Sequence, residues 1–321
     1  MKIGTRSSAM ALAQTNEIVA QLRDATDADP AVVKFNPRGD RDQTAKLDRH
    51  GGKGGAFVAE IRAAISDGAL DAAMHSLKDV PGDEETPGLV FGAYLKRESI
   101  EDALVLHANY SVTEFRERNG EGFKIGTNAV RRAAYLKRLY PACQVIHYRG
   151  AADTRIRKLD ERAMQQLPDG GEVGPADGLV MAKSGLERVG LAARISMTFS
   201  PDEMLPAIGQ GLVTVECAQS DWQTRRLLAA IDDPEARACA LAEREALWIL
   251  NGHCNSPIAG LARLENGALR FRAAVLSLDG ATIIEASATG DPARPREVGR
   301  KVGMTLLDQG ARALIDASAL E

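Results

Sequence analysis

The sequence predicts an α/β protein built from two units of similar plan, followed by a smaller α+β unit. Three observations carry this reading. Strand-like and helix-like segments alternate through the first two-thirds of the 321 residues, as in sheets flanked by helices. The tetrapeptide KIGT occurs twice, at residues 2–5 and 124–127, each time ending a strand, turning on Gly-Thr and entering a helix. After MLPAIGQGLVTVECA the texture changes to one long helix and a run of alternating strands with hairpin turns.

In the first unit MKIGT is a short strand, and SSAMALAQTNEIVAQLRDA follows with Met10, Ala13, Ile18 and Leu22 at helical spacing. AVVKF is the next strand. A polar, glycine-rich stretch, RGDRDQTAKLDRHGGKGG, leads into the helix AFVAEIRAAISDG. LDAAMHS reads as a strand, and LKDVP leaves it, with Pro81 stopping further pairing. GLVFGAYL and DALVLH read as strands that complete this unit.

The second unit opens with FKIGTN, the helix AVRRAAYLKRLYP, the strand CQVIHYRG and the helix DTRIRKLDERAMQQ. LPDGGEVGPADG is a polar loop or surface insertion, and LVMAKSGLERVGL gives a strand and a short helix. In the third unit, DPEARACALAEREALWIL is a helix stopped at Asn251-Gly252. Asn266-Gly267 and Asp279-Gly280 mark hairpin turns, and REVGRKVGMTLLDQGARALID is a closing helix.

Composition sets the outer limits. Hydrophobic residues at 45% and charged residues at 26% exclude a disordered chain. A net charge of −4 argues against a general nucleic-acid binder but leaves room for a local basic cleft. No run of about 18 apolar residues suggests a membrane span, and the N-terminus carries no stretch resembling a signal peptide. Cys143, Cys217, Cys239 and Cys254 lie far apart with no CxxC pair, as expected of reduced thiols in a cytoplasm. Nothing has zinc-like spacing, so no metal is expected.

The duplicated KIGT turn raises a chemical question, because each copy brings arginine with it: Arg6 in the first, Arg131 and Arg132 in the second. Helix starts bind carboxylates and phosphates, and arginine adds a bidentate clamp. Two such ends facing one another suit a polyanion. Arg149, Arg155, Arg157 and Arg188 extend the series; a solvated helix face explains Arg157 well and Arg149 less well. Residues 131 and 132 point about 100° apart on a helix, so sharing one face requires the first turn. In HSLKDVP, Asp79 follows a strand end, the usual ligand side of an open sheet. It suits a base or a stabiliser of positive charge, or else a turn cap; Lys78 suits a carboxylate or a solvated surface. Cys254 in NGHCNSPIAG lies in a loop, where an incidental thiol is the plainer reading.

The stretches IGTRSSAMALAQ, RGD, GGKG, DAAMHSLKDVP, GTNAVRR, YRGAADTRIRKL, LPAIGQGLVTVEC, AERE and GHCNSPI, in that order, resemble the porphobilinogen deaminase (hydroxymethylbilane synthase) family over essentially the whole length. The resemblance implies three domains: residues 1–96 with 212–230, residues 97–211, and residues 231–321. The first two are of type II periplasmic-binding-protein plan and the third is small and α+β. It implies a transferase of tetrapyrrole and heme biosynthesis that condenses porphobilinogen units, with loss of ammonia, onto a covalent dipyrromethane cofactor. Hydrolysis then releases a linear tetrapyrrole. Carried over by position, Asp79 is catalytic, and Cys254, Lys78, Ser8, Arg131, Arg132 and Asp79 hold the cofactor. Arg6, Arg149, Arg155, Arg188 and Ser76 meet the substrate. A cytoplasmic monomer without nucleic-acid or membrane partners is implied as well.

Departures from the family pattern occur in all three units. GTNAVRR stands for GTSSLRR, putting Asn128 and Ala129 where hydroxyls are usual, and YRGA stands for LRGN, putting Ala151 where an amide is usual. GGKGGAF is one residue longer than GGKGLF, which shifts Lys53 or Phe57. NPRGD stands for VTRGD, and GHCNSPIAG for GGCQVPIG. These leave a second reading, a paralogue that binds pyrroles or takes a modified pyrrole. Retention of both Asp79 and Cys254 favours the enzyme.

Overall fold

The computed structural model describes residues 1–35, 55–82, 86–167, 170–252 and 255–318, without the side chains of 55–57. The first run comprises β1 (Lys2–Arg6), α1 (Ala9–Ala25), β2 (Ala31–Phe35), α2 (Gly55–Ser66), β3 (Ala72–Ser76), a 3-10 turn at Leu77–Asp79 and β4 (Leu89–Tyr94). The second comprises β5 (Asp102–Leu106), α3 (Val112–Glu117), β6 (Lys124–Gly126), α4 (Val130–Leu139), β7 (Gln144–Ile146), α5 (Ala152–Asp160), β8 (Gln165–Gln166), β9 (Glu172–Val173), β10 (Gly178–Ala182), α6 (Lys183–Arg188) and β11 (Met197–Phe199). Then follow β12 (Val213–Ala218), α7 (Trp222–Ala229), α8 (Pro234–Leu250), β13 (Ile258–Glu265), β14 (Ala268–Leu276), β15 (Ile283–Gly290), α9 (Pro295–Asp308) and α10 (Ala311–Ser318).

The fold class is α/β, and the two large sheets share one plan. The first runs β2-β1-β3-β12-β4 and the second β7-β6-β10-β5-β11. In each, three strands of the unit are parallel, and the fourth position is an antiparallel strand from the far side of a crossover. β12 thus enters the first sheet after the second unit is complete, and β5 enters the second sheet directly from the first unit. DALVLH therefore does not complete the first unit. All five residues of β5 are buried, which demands a central place, and β10 and β11 flank it.

The third unit is the antiparallel meander β13-β14-β15 covered by α8 and α9. Asn266 and Gly267 both have positive φ, 51° and 79°, the two-residue hairpin geometry that Asn-Gly favours. Asp233 caps α8 by accepting from the Ala236 N–H at 2.8 Å, Pro234 follows, and Asn251 ends the helix in the left-handed region. Two expected helices are shorter than their apolar spacing suggested. The closing helix breaks at Gly310, φ 95°, into α9 and α10. DTRIRKLDERAMQQ stops at Asp160, after which Gln165–Gln166 pairs with Glu172–Val173.

Two fully buried carboxylates hold the crossovers. Asp102 accepts from Arg131 Nη2 at 2.6 Å, Arg132 Nε at 2.8 Å and Gln210 Nε2 at 3.1 Å. Glu243 accepts from Arg97 Nη1 at 2.6 Å and from the backbone N–H of Gly209 at 2.7 Å and Ala262 at 2.8 Å. Glycine is required between them: at Gly211, φ 78°, a Cβ would meet the Glu98 carbonyl oxygen at 2.8 Å.

Burial by itself would raise the Asp102 carboxyl, but Arg131 and Arg132 overcome it and hold the group down to about 2, against an ordinary 3.8. A folded value below the unfolded one stabilises the protein above the unfolded value, and that contribution disappears as pH falls toward the folded one. Asp102→Asn leaves two buried arginines uncompensated, and its expected cost near neutral pH is about 3–5 kcal/mol. Denaturant unfolding of both proteins should show this gap narrowing from pH 4 downward. A gap that is absent at pH 7, or that widens in acid, contradicts the assignment.

Candidate functional site: a cation-lined cleft

A cavity of about 520 Å³ opens between the two large sheets, on the side where β1, β3 and β10 end. Its wall includes residues 7–11 at the start of α1 and residues 150–153 at the start of α5, so two sets of free helix N–H groups face the same space. Among the described residues, six Arg and Lys side chains line it, Arg6, Lys78, Arg132, Arg149, Arg155 and Arg188, against three acidic ones, Asp79, Glu98 and Asp153. In a chain of net charge −4, this concentrates positive charge where a polyanion is best held.

Among the expected site residues, Ser8, Ser76 and Asp79 also line the cavity, whereas Arg131 does not. Ser8 doubles as the α1 cap, its hydroxyl accepting from the Ala11 N–H at 3.3 Å. Both α4 arginines converge on Asp102, and Arg131 also donates to the Leu205 carbonyl at 2.8 Å. Arg131 therefore lies behind the wall and Arg132 forms part of it. Cys254 and Lys53 fall outside the described residues, as does the side chain of Phe57.

Asp79 ends the 3-10 turn that leaves β3, and its side chain is 43% exposed. Arg6 Nη1 lies 3.9 Å from its carboxylate. The turn is braced from two sides. Gly209, φ 75°, packs so closely beneath it that a Cβ would reach the Lys78 backbone nitrogen at 2.9 Å. From α8, Arg244 Nη2 donates to the Pro81 carbonyl at 3.0 Å, and Leu247 fills the space beside Gly82. One strand deeper, Glu216 takes Arg62 Nε at 2.9 Å and His75 Nε2 at 3.1 Å. Burial opposes its ionisation, but His75 and Arg62 hold it below the usual carboxylate range.

Electrostatics around the cations follow from their crowding. Lys78 is exposed on the cavity wall, and desolvation by the surrounding protein, followed by Arg132, pushes its ammonium down to about 8, with Asp79 opposing. Burial, Arg132 and Arg149 bring Arg155 down to about 10. Its Nε donates to the Gly150 carbonyl at 2.7 Å, and no carboxylate pairs with it among the described residues. Like charges kept this close need an anion between them.

Sequence reasoning missed Gln14 and Glu98. Gln14 accepts from the Ser76 hydroxyl at 3.1 Å and lines the cavity; its spacing four residues after Met10 on α1 was the available signal. Glu98 lies in a crossover with neither motif nor periodicity to mark it. Of the departures, Ala151 faces the cavity, whereas Asn128 turns inward to accept from the Tyr148 N–H at 2.8 Å. Cys143, Cys217 and Cys239 are buried, and burial pushes their thiols up to about 12, 11 and 12.

Residues 1–226 match the family model described as porphobilinogen deaminase, dipyromethane cofactor binding domain, and residues 237–308 match its C-terminal domain. The porphobilinogen deaminase of Syntrophobacter fumaroxidans is 36% identical over 319 residues, covering 98% of this chain and 97% of that one. Porphobilinogen deaminase 2 of Streptomyces coelicolor is 37% identical, covering 99% and 97%. The Listeria monocytogenes enzyme is 38% identical, covering 98% and 96%. Among solved structures, immunogenic lipoprotein A from Vibrio vulnificus aligns with a TM-score of 0.41 at 12% identity, over 77% of this chain and 100% of that one. Matched over nearly its full length, the chain belongs to the porphobilinogen deaminase family.

Proposed function

We propose that this chain is a hydroxymethylbilane synthase that joins porphobilinogen units, with loss of ammonia, in the cleft between its two large sheets. The observation that carries the reading is the excess of basic side chains at the same cavity as two helix starts. Porphobilinogen bears an acetate and a propionate on each pyrrole, so a growing chain adds negative charge with every unit. The donor set fits that ligand: guanidinium groups for carboxylates, and one partly exposed carboxylate for pyrrole N–H groups.

The same chemistry fits the dipyrromethane cofactor of the family. Lys78, Ser8 and Arg132 would hold its carboxylates and Asp79 its ring N–H groups. When bound, it supplies a free pyrrole α-carbon as the nucleophile. Attachment is assigned to Cys254 on the family resemblance of GHCNSPI; the burial of the other three thiols, which raises them, is in keeping with it. Arg131 is assigned a positioning role, fixing Asp102 and through it Arg132. Arg6, Arg149, Arg155, Arg188 and Ser76 are assigned to incoming substrate. As ammonia leaves porphobilinogen, positive charge spreads over the pyrrole, and the Asp79 carboxylate offsets it while Gly209 and α8 keep its turn from moving. Arg6 beside it keeps the carboxylate directed into the cleft.

Domain limits are proposed at residues 1–96 with 212–230, 97–211 and 231–321, on the sheet memberships above. A cytoplasmic monomer is proposed on the family resemblance, with which three buried, unpaired thiols are compatible; among the described residues no helix is long and apolar enough to cross a membrane.

Steady-state bilane formation at equal cofactor content tests the central role. Asp79→Asn keeps hydrogen-bond acceptance and loses charge, so turnover should fall by about a hundredfold, with Asp79→Glu retaining more. Equal turnover of Asn and wild type removes Asp79 from catalysis. Intact mass tests attachment: the purified protein should exceed its sequence mass by two linked pyrroles, and Cys254→Ser should lose them. An adduct found on Cys143, Cys217 or Cys239 overturns that placement.

A further inference from the structure

Arg188 differs from the other cleft cations in what neutralises it. Its side chain is 9% exposed, and Nη2 donates to Glu98 Oε1 and, at 3.4 Å, to Glu17 Oε2. Arg132 is neutralised by Asp102, which lies behind the wall, whereas Glu98 lines the cavity itself. Glu98 thus occupies space that a ligand would enter.

The two buried carboxylates of the crossovers use both oxygens: Asp102 has donors on Oδ1 and Oδ2, and Glu243 on Oε1 and Oε2. Glu98 does not. Its Oε2 is buried and has no hydrogen-bond partner among the described residues, and burial raises its carboxyl above the usual range despite Arg188. A carboxylate bound through one oxygen is more easily displaced than one bound through two. A second cavity adjoins it, lined by Ser99 and Ser184 together with Glu17 and Glu187, so a displaced Glu98 has room there and is better accommodated as the neutral acid beside those two carboxylates.

We infer that Glu98 is an internal stand-in for a pyrrole carboxylate on Arg188, displaced when an acetate or propionate of the substrate arrives. Glu98 is then a positioning residue that sets how strongly Arg188 takes substrate. This rests on the proposed assignment of Arg188 to substrate carboxylates.

The test uses holoenzyme with Glu98→Gln, Arg188→Leu and the pair together. Two quantities are read: the rate at which phenylglyoxal labels Arg188, located by peptide mass, and KM against kcat for porphobilinogen. Glu98→Gln should speed labelling severalfold and lower KM by about fivefold, the scale of one partly screened ion pair, with a smaller change in kcat. Porphobilinogen should protect Arg188 from the reagent in both proteins. In the Arg188→Leu background, Glu98→Gln should change KM no further. Glu98→Ser, which removes the carboxylate and leaves room, should repeat the direction. Unchanged labelling and KM in Glu98→Gln, or the same fall in KM without Arg188, makes the pair a plain bridge and overturns the inference. Bilane formation by the wild type is measured alongside, so a working enzyme without the Glu98 effect counts against Glu98 alone.

Discussion

Asp102 holds together two arginines that would otherwise repel each other inside the protein. Its carboxylate is the point at which the second sheet, the start of α4 and the loop at Gln210 meet, and Gln210 in turn donates to the Ile100 carbonyl at 2.7 Å. Glu243 does the corresponding work for the third unit, binding Arg97 from one crossover and Gly209 from the other. Through Gly209 that hold reaches the turn carrying Lys78 and Asp79. The cleft is thus shaped by carboxylates that lie behind its wall.

This arrangement explains how a protein of modest net negative charge keeps a strongly basic cavity. Arg155 is anchored by the Gly150 carbonyl and Arg132 by Asp102 behind the wall, which leaves part of each guanidinium for the cleft. Lys78 and Arg155 are held below their ordinary values by desolvation first and by the neighbouring cations second, so some repulsion remains in the cleft. It falls when a carboxylate enters, so the site favours anions through what its own cations gain as well as through direct attraction.

Much of this was legible in the sequence because the signals are local. The repeated KIGT turn marked two strand ends and helix starts, and both sheets do follow one strand order. Asn266-Gly267 and Asn251 announced their turn and helix end by the backbone angles they favour. What could not be read was where long side chains end. Arg131 and Arg132 diverge on an ideal helix, yet both reach an aspartate about thirty residues earlier in the chain, and one of them leaves the cavity as a result. DALVLH was misplaced for a similar reason. Its apolar run specifies a buried strand but carries no information about which sheet buries it.

The exchange of strands also imposes an order on biosynthesis. Every strand of the second sheet lies between residues 102 and 199, so that sheet can close while the rest is still being made. The first sheet cannot: β12 separates β3 from β4, with Val213 opposite Ser76. Until then the nascent N-terminal segment carries two unpaired strand edges, a form prone to sticking to other chains. The half of the molecule synthesised first is the half completed later, and its exposure lasts as long as translation takes to reach residue 218.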